Sequence, residues 1–436
     1  MTTNNELLTR AVSNVKPDKL ANKKLESGKP IRLYLGIDPT GSKLHLGHSV
    51  PLRKLKAFAD AGHEVVFLVG SFTATIGDPT GQDKMREPIT KEQVKKNFKT
   101  YKKQAGKILD FKKVKIRYNT EWYDKMNAMD FFEINSHFTV QQMMQRDMFK
   151  ERMKWKVICN NCKELSDSPI QFQSTEDKDS LDINETEITC SHCEKRTLVS
   201  KETIIPPPNP VSPQEIMYPI MQGYDSVMLD VDCEIGGNDQ LFNMLCGRKL
   251  QKIYGKREKF VLTTKLVEGT DGRKMSKTYD NCIWLEDSAN DMFGKTMSIN
   301  DELMETYFEC CTDVPMNEVK EIVKGNPRDA KVRLAKEIVS LYHGEKAAQA
   351  AVKQFDAVFR GKGIPDDIKE VKVKKGTFLL DVLVKHELIP SKSEGRRLIK
   401  QNGITVNEKP VKEVEALAEE GTVKVGKRKF LKIKIS

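Results

Sequence analysis

The chain has 436 residues, 38% of them hydrophobic and 31% charged, a globular composition long enough for two to four domains. No apolar run approaches a membrane span, Met1 to Lys19 lacks the apolar core of a secretion signal, and Glu6 and Asp18 argue against a mitochondrial presequence, so a cytoplasmic protein off the membrane is expected. The net charge of +11 points to a polyanionic partner, and residues 361–436 hold 18 Lys and Arg against 11 Asp and Glu, which puts 7 of the 11 excess charges in the tail.

Taken in order, Ile31 to Ile37 reads as a strand ending at Asp38-Pro39, and His48 to Ala61 as a helix with Val50, Leu52, Leu55 and Phe58 along one side. His63 to Val69 is a second strand, Lys91 to Leu109 a basic amphipathic helix and Lys113 to Tyr118 a third strand. This βαβαβ alternation predicts a parallel sheet with right-handed crossovers and a ligand outside the carboxyl ends of its strands. The proline-rich stretch 205–210 breaks the chain. Beyond it come a helix from Pro213 to about Asp225, a strand around Val227 to Ile235, a helix Asp239 to Tyr254 and a strand Phe260 to Val267. Residues 121–204 thus interrupt two halves of one nucleotide-binding fold. Asn290 to Phe359 is helical in pattern, Gly361 to Gly376 reads as a linker, and the tail shows two helical pieces followed by short strands.

Two short segments far apart in the chain carry the chemistry. Gly36-Ile37-Asp38-Pro39-Thr40 runs on to His45-Leu46-Gly47-His48, and Lys274-Met275-Ser276-Lys277-Thr278 lies on a Gly-flanked loop. Imidazoles at a helix start and ammonium groups on a loop suit a nucleoside triphosphate, whose charge must be held and then stabilised as it shifts. Thr40, His45 and His48 can donate to phosphate, Gly47 lets the backbone approach the nucleotide, and Lys274 and Lys277 can neutralise pyrophosphate. Arg86, with Lys84, lies in the stretch 79–90, which is expected to close over the site. Tyr218, Gln222 and Asp225 fall at i, i+4 and i+7, so a helix would put all three on one face. Pro219 among them implies a kink or a first-turn position.

Together these segments resemble the HIGH and KMSKS signatures of class I aminoacyl-tRNA synthetases. The run Tyr34 to Thr40, Gly77-Asp78-Pro79, Tyr218 to Asp225 and Gly236-Gly237-Asn238-Asp239-Gln240 resembles bacterial-type tyrosyl-tRNA synthetases over nearly the whole chain, apart from an insertion at 155–200. The resemblance implies a Rossmann-type α/β catalytic domain, ATP with Mg2+, tyrosine and tRNA(Tyr) as substrates, and a homodimer. It implies that Tyr34 and Asp225 read the tyrosine hydroxyl and that Asp78, Tyr218 and Gln222 hold its amine, with Gln240 against the substrate. Gly237 and Asp239 match the ribose contacts, Gly36, Asp38 and Gly47 line the nucleotide, and Thr278 closes the lysine loop. Gln82 stands where relatives often carry a basic residue, and Leu-Phe-Asn follows Gln240 where many carry Trp-Gly-Asn. Tryptophan activation on the same fold, and an RNA-binding descendant that has lost adenylation, are the alternatives.

The insertion carries Cys159-Asn-Asn-Cys162 and Cys190-Ser-His-Cys193, with 27 residues between Cys162 and Cys190. Four thiolates so spaced can close a tetrahedral, structural Zn2+ site with no open position. The other five cysteines show no disulfide-like spacing, and reduced thiols are expected. In the tail, Phe378 to Asn407 resembles the RNA-binding fold shared with small-subunit ribosomal protein four. Lys392, Arg396, Arg397 and Lys400 fall at helical spacing for phosphate contacts. The expected domains are 1–285, a catalytic domain containing the 121–204 connective insertion; 286–360, helical; 361–376, a linker; and 377–436, a small α+β RNA-binding domain.

Overall fold

The computed structural model describes residues 3–78, 89–168, 186–206, 211–360, 368–407, 409–426 and 429–435. The chain separates into two compact units, Met1–Tyr342 and His343–Ser436.

The first unit is built on six strands: β1 (Val12–Lys16), β2 (Arg32–Ile37), β3 (Glu64–Val69), β4 (Val114–Tyr118), β10 (Cys233–Gly237) and β11 (Phe260–Thr264). Strands β5 to β9 belong to the insertion described below. The sheet order is β1-β11-β10-β2-β3-β4. Every pairing is parallel except β1 on β11. From β2 the chain crosses to β3 on one side, and β10 pairs on the other, so the strand order reverses there and opens a crevice at the carboxyl ends. β3 and β11 are buried along most of their length. That fits their continuous runs of Val, Leu and Phe, since a sheet covered on both faces needs no polar alternation.

The helix Leu46–Asp60 packs through Leu46, Val50, Leu52, Leu55 and Phe58, each at most 1% exposed. Truncating one of these, such as Leu55→Ala, would cost about 2–5 kcal/mol through lost transfer energy and a cavity. The helix Lys91–Ala105 is basic outside and buries Asn97 and Gln104. The Asn97 amide donates to Pro39 O at 2.8 Å, and Gln104 accepts from Leu44 N at 2.7 Å and donates to Ser42 O at 2.9 Å. Two buried amides thus pin the loop that carries Thr40.

Two expectations are corrected here. The helix from Pro213 runs to Leu229, and it ends only where Asp230 turns left-handed at φ 48°. The strand expected from Val227 therefore starts at Cys233. Val227 is apolar because it faces the core from a helix, and an apolar residue reads the same in either element. Pro219 is the seventh residue of this helix, so the first-turn reading fails; Pro213 holds the first turn. Gly223 lets this helix meet the helix Leu241–Ile253 closely, since a Cβ there would lie 2.8 Å from Gly247 N.

The insertion forms two hairpins, β5 (Lys156–Ile158) with β6 (Leu165–Asp167) and β7 (Thr186–Thr189) with β8 (Arg196–Val199), and β9 (Ile204–Ile205) returns onto β5. Its apolar core is small: Trp155, Val157, Val199 and Ile204, with Ile188 beside them.

The second unit starts with the helix Glu345–Arg360 and holds a five-stranded sheet of order β12-β16-β15-β13-β14. Its strands are β12 (Glu370–Val373), β13 (Ile404–Val406), β14 (Lys409–Pro410), β15 (Gly421–Val425) and β16 (Lys429–Ile435). The expected linker 361–376 is thus corrected: residues 370–373 pair with β16. Their alternation of Glu and Lys with Val, which reads as charged linker, is the half-buried pattern of an edge strand. Residues 361–367 lie outside the described residues. The core of the sheet includes Leu379, Leu383, Ile399, Val423 and Leu431.

Candidate active site and cysteine centre

A cleft of about 1230 Å³ opens at the carboxyl ends of β2 and β10. Thr40, His45, His48, Lys274, Lys277 and Thr278 line it, as do Tyr34, Asp78, Tyr218, Gln222, Asp225 and Gln240, and Gly36, Asp38, Gly47, Gly237 and Asp239. Arg86 and Lys84 fall in 79–88, outside the described residues.

Backbone pairing brings the two distant segments together. Leu46 N donates to Ile283 O and Leu285 N donates to Leu44 O, both at 2.9 Å. His45 bridges Trp284, and their rings meet edge-on at 5.7 Å. The lysine loop is fixed by Asn281, whose amide donates to Asp271 Oδ1 at 2.7 Å and to Lys274 O at 3.1 Å, and whose Oδ1 accepts from Ser276 N at 2.9 Å. Lys274 pairs with Asp239 at 3.0 Å, and Lys277 is exposed to the cleft.

The His45 and His48 rings lie 3.8 Å apart. The His45 backbone N–H donates to His48 Nδ1 at 3.2 Å, which leaves the His48 proton on Nε2. Burial lowers both imidazoles, His45 to about 2 with help from His48 and Lys274, and His48 to about 4 with Lys274 opposed by Asp239. Both are therefore neutral at pH 7 and act as hydrogen-bonding groups, not charges. His45 Nδ1 is buried and has no hydrogen-bond partner among the described residues. Gly47 follows sterically, since a Cβ there would stand 3.0 Å from the His45 ring.

The other end of the cleft is polar and tightly linked. Asp38 accepts from Tyr218 Oη and Thr73 Oγ1, each at 2.8 Å. Gly70 is required there, because its Cβ would sit 1.8 Å from Asp38 Oδ1. Asp78 accepts from the Gln240 amide at 2.6 Å and faces Arg146 at 3.8 Å. Asp225 accepts from Trp122 Nε1 at 3.0 Å and Asn119 Nδ2 at 3.3 Å. Burial holds its carboxyl well above the usual range, with those two donors opposing. Tyr34 Oη lies 3.0 Å from Ser226 Oγ. Asn243 donates to Gln222 at 2.8 Å and to Gln240 at 3.1 Å.

Sequence reasoning missed Thr73, Asn119, Trp122, Ser226, Glu234, Asn243 and Lys259. Apart from Asn243, the last residue of the Leu-Phe-Asn run after Gln240, none sits in a noted motif, and only the fold brings them to the cleft or behind it. A charged residue beside a strand, such as Lys259, ordinarily signals solvent, yet its side chain is fully buried.

At the second centre the four cysteine sulfurs lie within 4.8 Å of one another. Cys159 and Cys193 are 3.6 Å apart and Cys162 and Cys190 are 3.7 Å apart, and all nine cysteines are free. The two knuckles are built alike. Lys163 N and Glu194 N donate to the carbonyls of Cys159 and Cys190, each at 2.9 Å, and both residues turn left-handed, at φ 64° and 58°. Asn161 N and His192 N donate to Cys159 Sγ and Cys190 Sγ, each at 3.4 Å. Tetrahedral zinc thiolates at Zn–S of about 2.3 Å place sulfurs about 3.8 Å apart, so this donor set fits.

In the second unit Lys392, Arg396, Arg397 and Lys400 are all exposed. Lys392 pairs with Asp381 and Arg397 with Glu394. Their exposed ion pairs are worth little and leave the cations available.

A family of class I tRNA synthetases, those for tryptophan and tyrosine, matches residues 26–166 and 193–360, and a tyrosine–tRNA ligase C-terminal domain matches 361–431. The gap between the first two matched stretches falls inside the insertion. The chain is 40% identical to the tyrosine–tRNA ligase of Carboxydothermus hydrogenoformans, covering 98% of this chain and 97% of that one. It is 37% identical to that of Thermotoga maritima, covering 98% and 96%. Among solved structures, a truncated mitochondrial tyrosyl-tRNA synthetase of Coccidioides posadasii matches with TM-score 0.57 at 23% identity over 81% of this chain and 92% of that one. The tyrosyl-tRNA synthetase of Archaeoglobus fulgidus, solved with L-tyrosine, matches with TM-score 0.57 at 18% identity over 80% and 98%. At these identities the structural likeness carries the fold alone, while the sequence likeness carries the family: the chain belongs to the class I tyrosine–tRNA ligases.

Proposed function

We propose that the cleft joins tyrosine to ATP with its polar end around the amino acid and its lysine loop around the phosphates. The observation that carries this is the convergence of every described catalytic, tyrosine-binding and ATP-binding candidate on one cleft. A tyrosine carboxylate oxygen attacks the α-phosphorus, the bond to the β-phosphate oxygen breaks, and pyrophosphate leaves. A terminal tRNA ribose hydroxyl then attacks the adenylate carbonyl and AMP leaves. Tyr34 and Asp225 read the phenol; Asp78, Tyr218 and Gln222 hold the ammonium, and Gln240 lies against the substrate. Gly36, Asp38 and Gly47 line the nucleotide, and Gly237 and Asp239 meet the ribose. Thr40, His45, His48, Lys274, Lys277, Thr278 and Arg86 stabilise charge on the leaving pyrophosphate, and Mg2+ accompanies ATP. Neutral imidazoles suit this role because they donate hydrogen bonds without holding the product by charge. Amino-acid-dependent exchange of pyrophosphate into ATP tests the reading: tyrosine should drive it and tryptophan should not.

The second unit is read as the tRNA-binding module, with Lys392, Arg396, Arg397 and Lys400 on phosphates. A chain ending at Arg360 should keep pyrophosphate exchange and lose tRNA charging by about tenfold or more at moderate salt. Full charging would overturn that reading. Cys159, Cys162, Cys190 and Cys193 would hold one structural Zn2+, which would supply folding energy and no chemistry. A homodimer through the connective region is supported by Met129, Phe132 and Val140, exposed apolar side chains on adjacent helices. No helix among the described residues is long and apolar enough to cross a membrane. A cytoplasmic location goes with this reading.

A further inference from the structure

Behind the amino-acid end of the cleft lies a charged cluster with no evident need to be buried. Lys259, just before β11, is fully buried, and its Nζ pairs with Glu234 of β10, itself 2% exposed. The same Nζ donates to Ser226 Oγ at 2.6 Å. Ser226 Oγ lies 3.0 Å from Tyr34 Oη and 3.3 Å from Glu234 Oε2. Glu234 Oε1 accepts from the Gln222 amide at 3.2 Å. Gly247 leaves the room for this, because a Cβ there would stand 2.6 Å from both Lys259 Nζ and Ser226 Oγ.

We propose that Lys259 is a positioning residue for amino-acid selection, fixing the Tyr34 hydroxyl through Ser226 and the Gln222 amide through Glu234. The inference rests on the reading of Tyr34 and Gln222 as tyrosine contacts. Proton counting supports it. Lys259 has only donors, so Ser226 must accept from it. The serine then has one proton left, to place on Tyr34 or on Glu234. Given to Glu234, it leaves Tyr34 to donate to Ser226 and to accept from the ligand; given to Tyr34, it leaves the phenol proton for the ligand. In both cases Ser226 anchors a hydroxyl that could otherwise turn to suit a substrate with or without one. The bare sheet would be cheaper with apolar residues here, since a buried ion pair seldom repays its desolvation against a hydrophobic replacement. A site that must place donors and acceptors has a use for it. Lys259 is not among the residues that line the cleft, and its Nζ lies 5.9 Å from the centre of the Tyr34 ring.

The test is steady-state pyrophosphate exchange with tyrosine and phenylalanine on the full chain. Ser226→Ala cuts the relay without stranding a charge, and should lower the tyrosine-to-phenylalanine ratio of kcat/KM by about tenfold or more. Lys259→Met should raise the KM for tyrosine by about tenfold while changing the KM for ATP less than about threefold. Because Lys259→Met strands Glu234, the double variant Lys259→Met with Glu234→Gln controls for folding. It should recover thermal stability but not discrimination; recovery of both would show that the lysine only neutralises the glutamate and would overturn the proposal. Unchanged discrimination in Ser226→Ala would overturn it as well. Wild-type protein and Tyr34→Phe separate the two levels. Absence of tyrosine-dependent exchange in the wild type sinks the underlying reading, whereas a defect in Tyr34→Phe without one in Ser226→Ala sinks this inference alone.

Discussion

The cleft and the cysteine ribbon both gather groups from distant parts of the chain, but they are held by different forces. The cleft stands on a six-stranded sheet with fully buried side chains such as Phe67, Leu33 and Phe260 beneath it. Its polar groups are fixed by one another: Asp38 by Tyr218 and Thr73, Asp225 by Trp122 and Asn119, Asn281 around the lysine loop. The ribbon has four fully buried or nearly buried apolar residues, short strands and a sulfur cluster. The difference teaches that the cleft is preorganised by burial, whereas the ribbon, with so small a core, is expected to depend on the metal proposed for its four sulfurs.

Four experiments break or sharpen that contrast. The largest effect is expected on selection. Asp225→Ala should remove most of the preference for tyrosine over phenylalanine, for which the measured value in this enzyme class is about 10⁵, a benchmark borrowed rather than derived from this structure. A folded variant with unaltered selectivity would place recognition of the phenol elsewhere. Next is chemistry: Lys277→Ala should slow adenylate formation by about 10²–10³, the cost of one lost charge-stabilising group, with tyrosine affinity nearly unchanged. Single-turnover rates and equilibrium binding of tyrosine separate the two, and loss of affinity at full rate would contradict the role given to the loop.

The ribbon should respond in the opposite way. Metal analysis should find about one zinc per chain, and Cys190→Ser should lose it and open residues 155–200 to protease. Pyrophosphate exchange should fall less than about threefold, because the cleft has its own core. Collapse of exchange along with the zinc would erase the distinction between the two regions. The smallest effect concerns pH. The folded His45 and His48 titrate at about 2 and about 4, below the unfolded value of about 6.5. The unfolded chain therefore takes up more protons as pH falls below 6.5, so stability that is complete above that value is lost toward pH 4. Denaturation midpoints at pH 7.5 and 5.0 should fall further in the wild type than in His48→Asn. An equal fall would mean that His48 is not held neutral.

What the sequence by itself determined is what short-range pattern and chemically demanding spacing can carry. The alternation of Ile31 to Tyr118 was enough for a parallel sheet, because strand, helix and strand each bury a face of fixed period. The two CxxC pairs were enough for a four-sulfur centre, because only a few geometries satisfy such spacing. His45, His48, Lys274 and Lys277 were legible because few other uses fit that combination. Only the tertiary structure decided the rest. It decided that the helix from Pro213 continues to Leu229, since an apolar Val227 suits helix and strand alike and the left-handed Asp230 ends the run. It decided that Glu370–Val373 is an edge strand, because β16 supplies its partner some sixty residues later. Above all it decided the support beneath the cleft. Asn119, Ser226, Glu234 and Lys259 have no local signature, and a buried charge is tolerable only when a partner from another strand arrives within hydrogen-bonding distance. That condition is a property of the packed fold, not of any segment read alone.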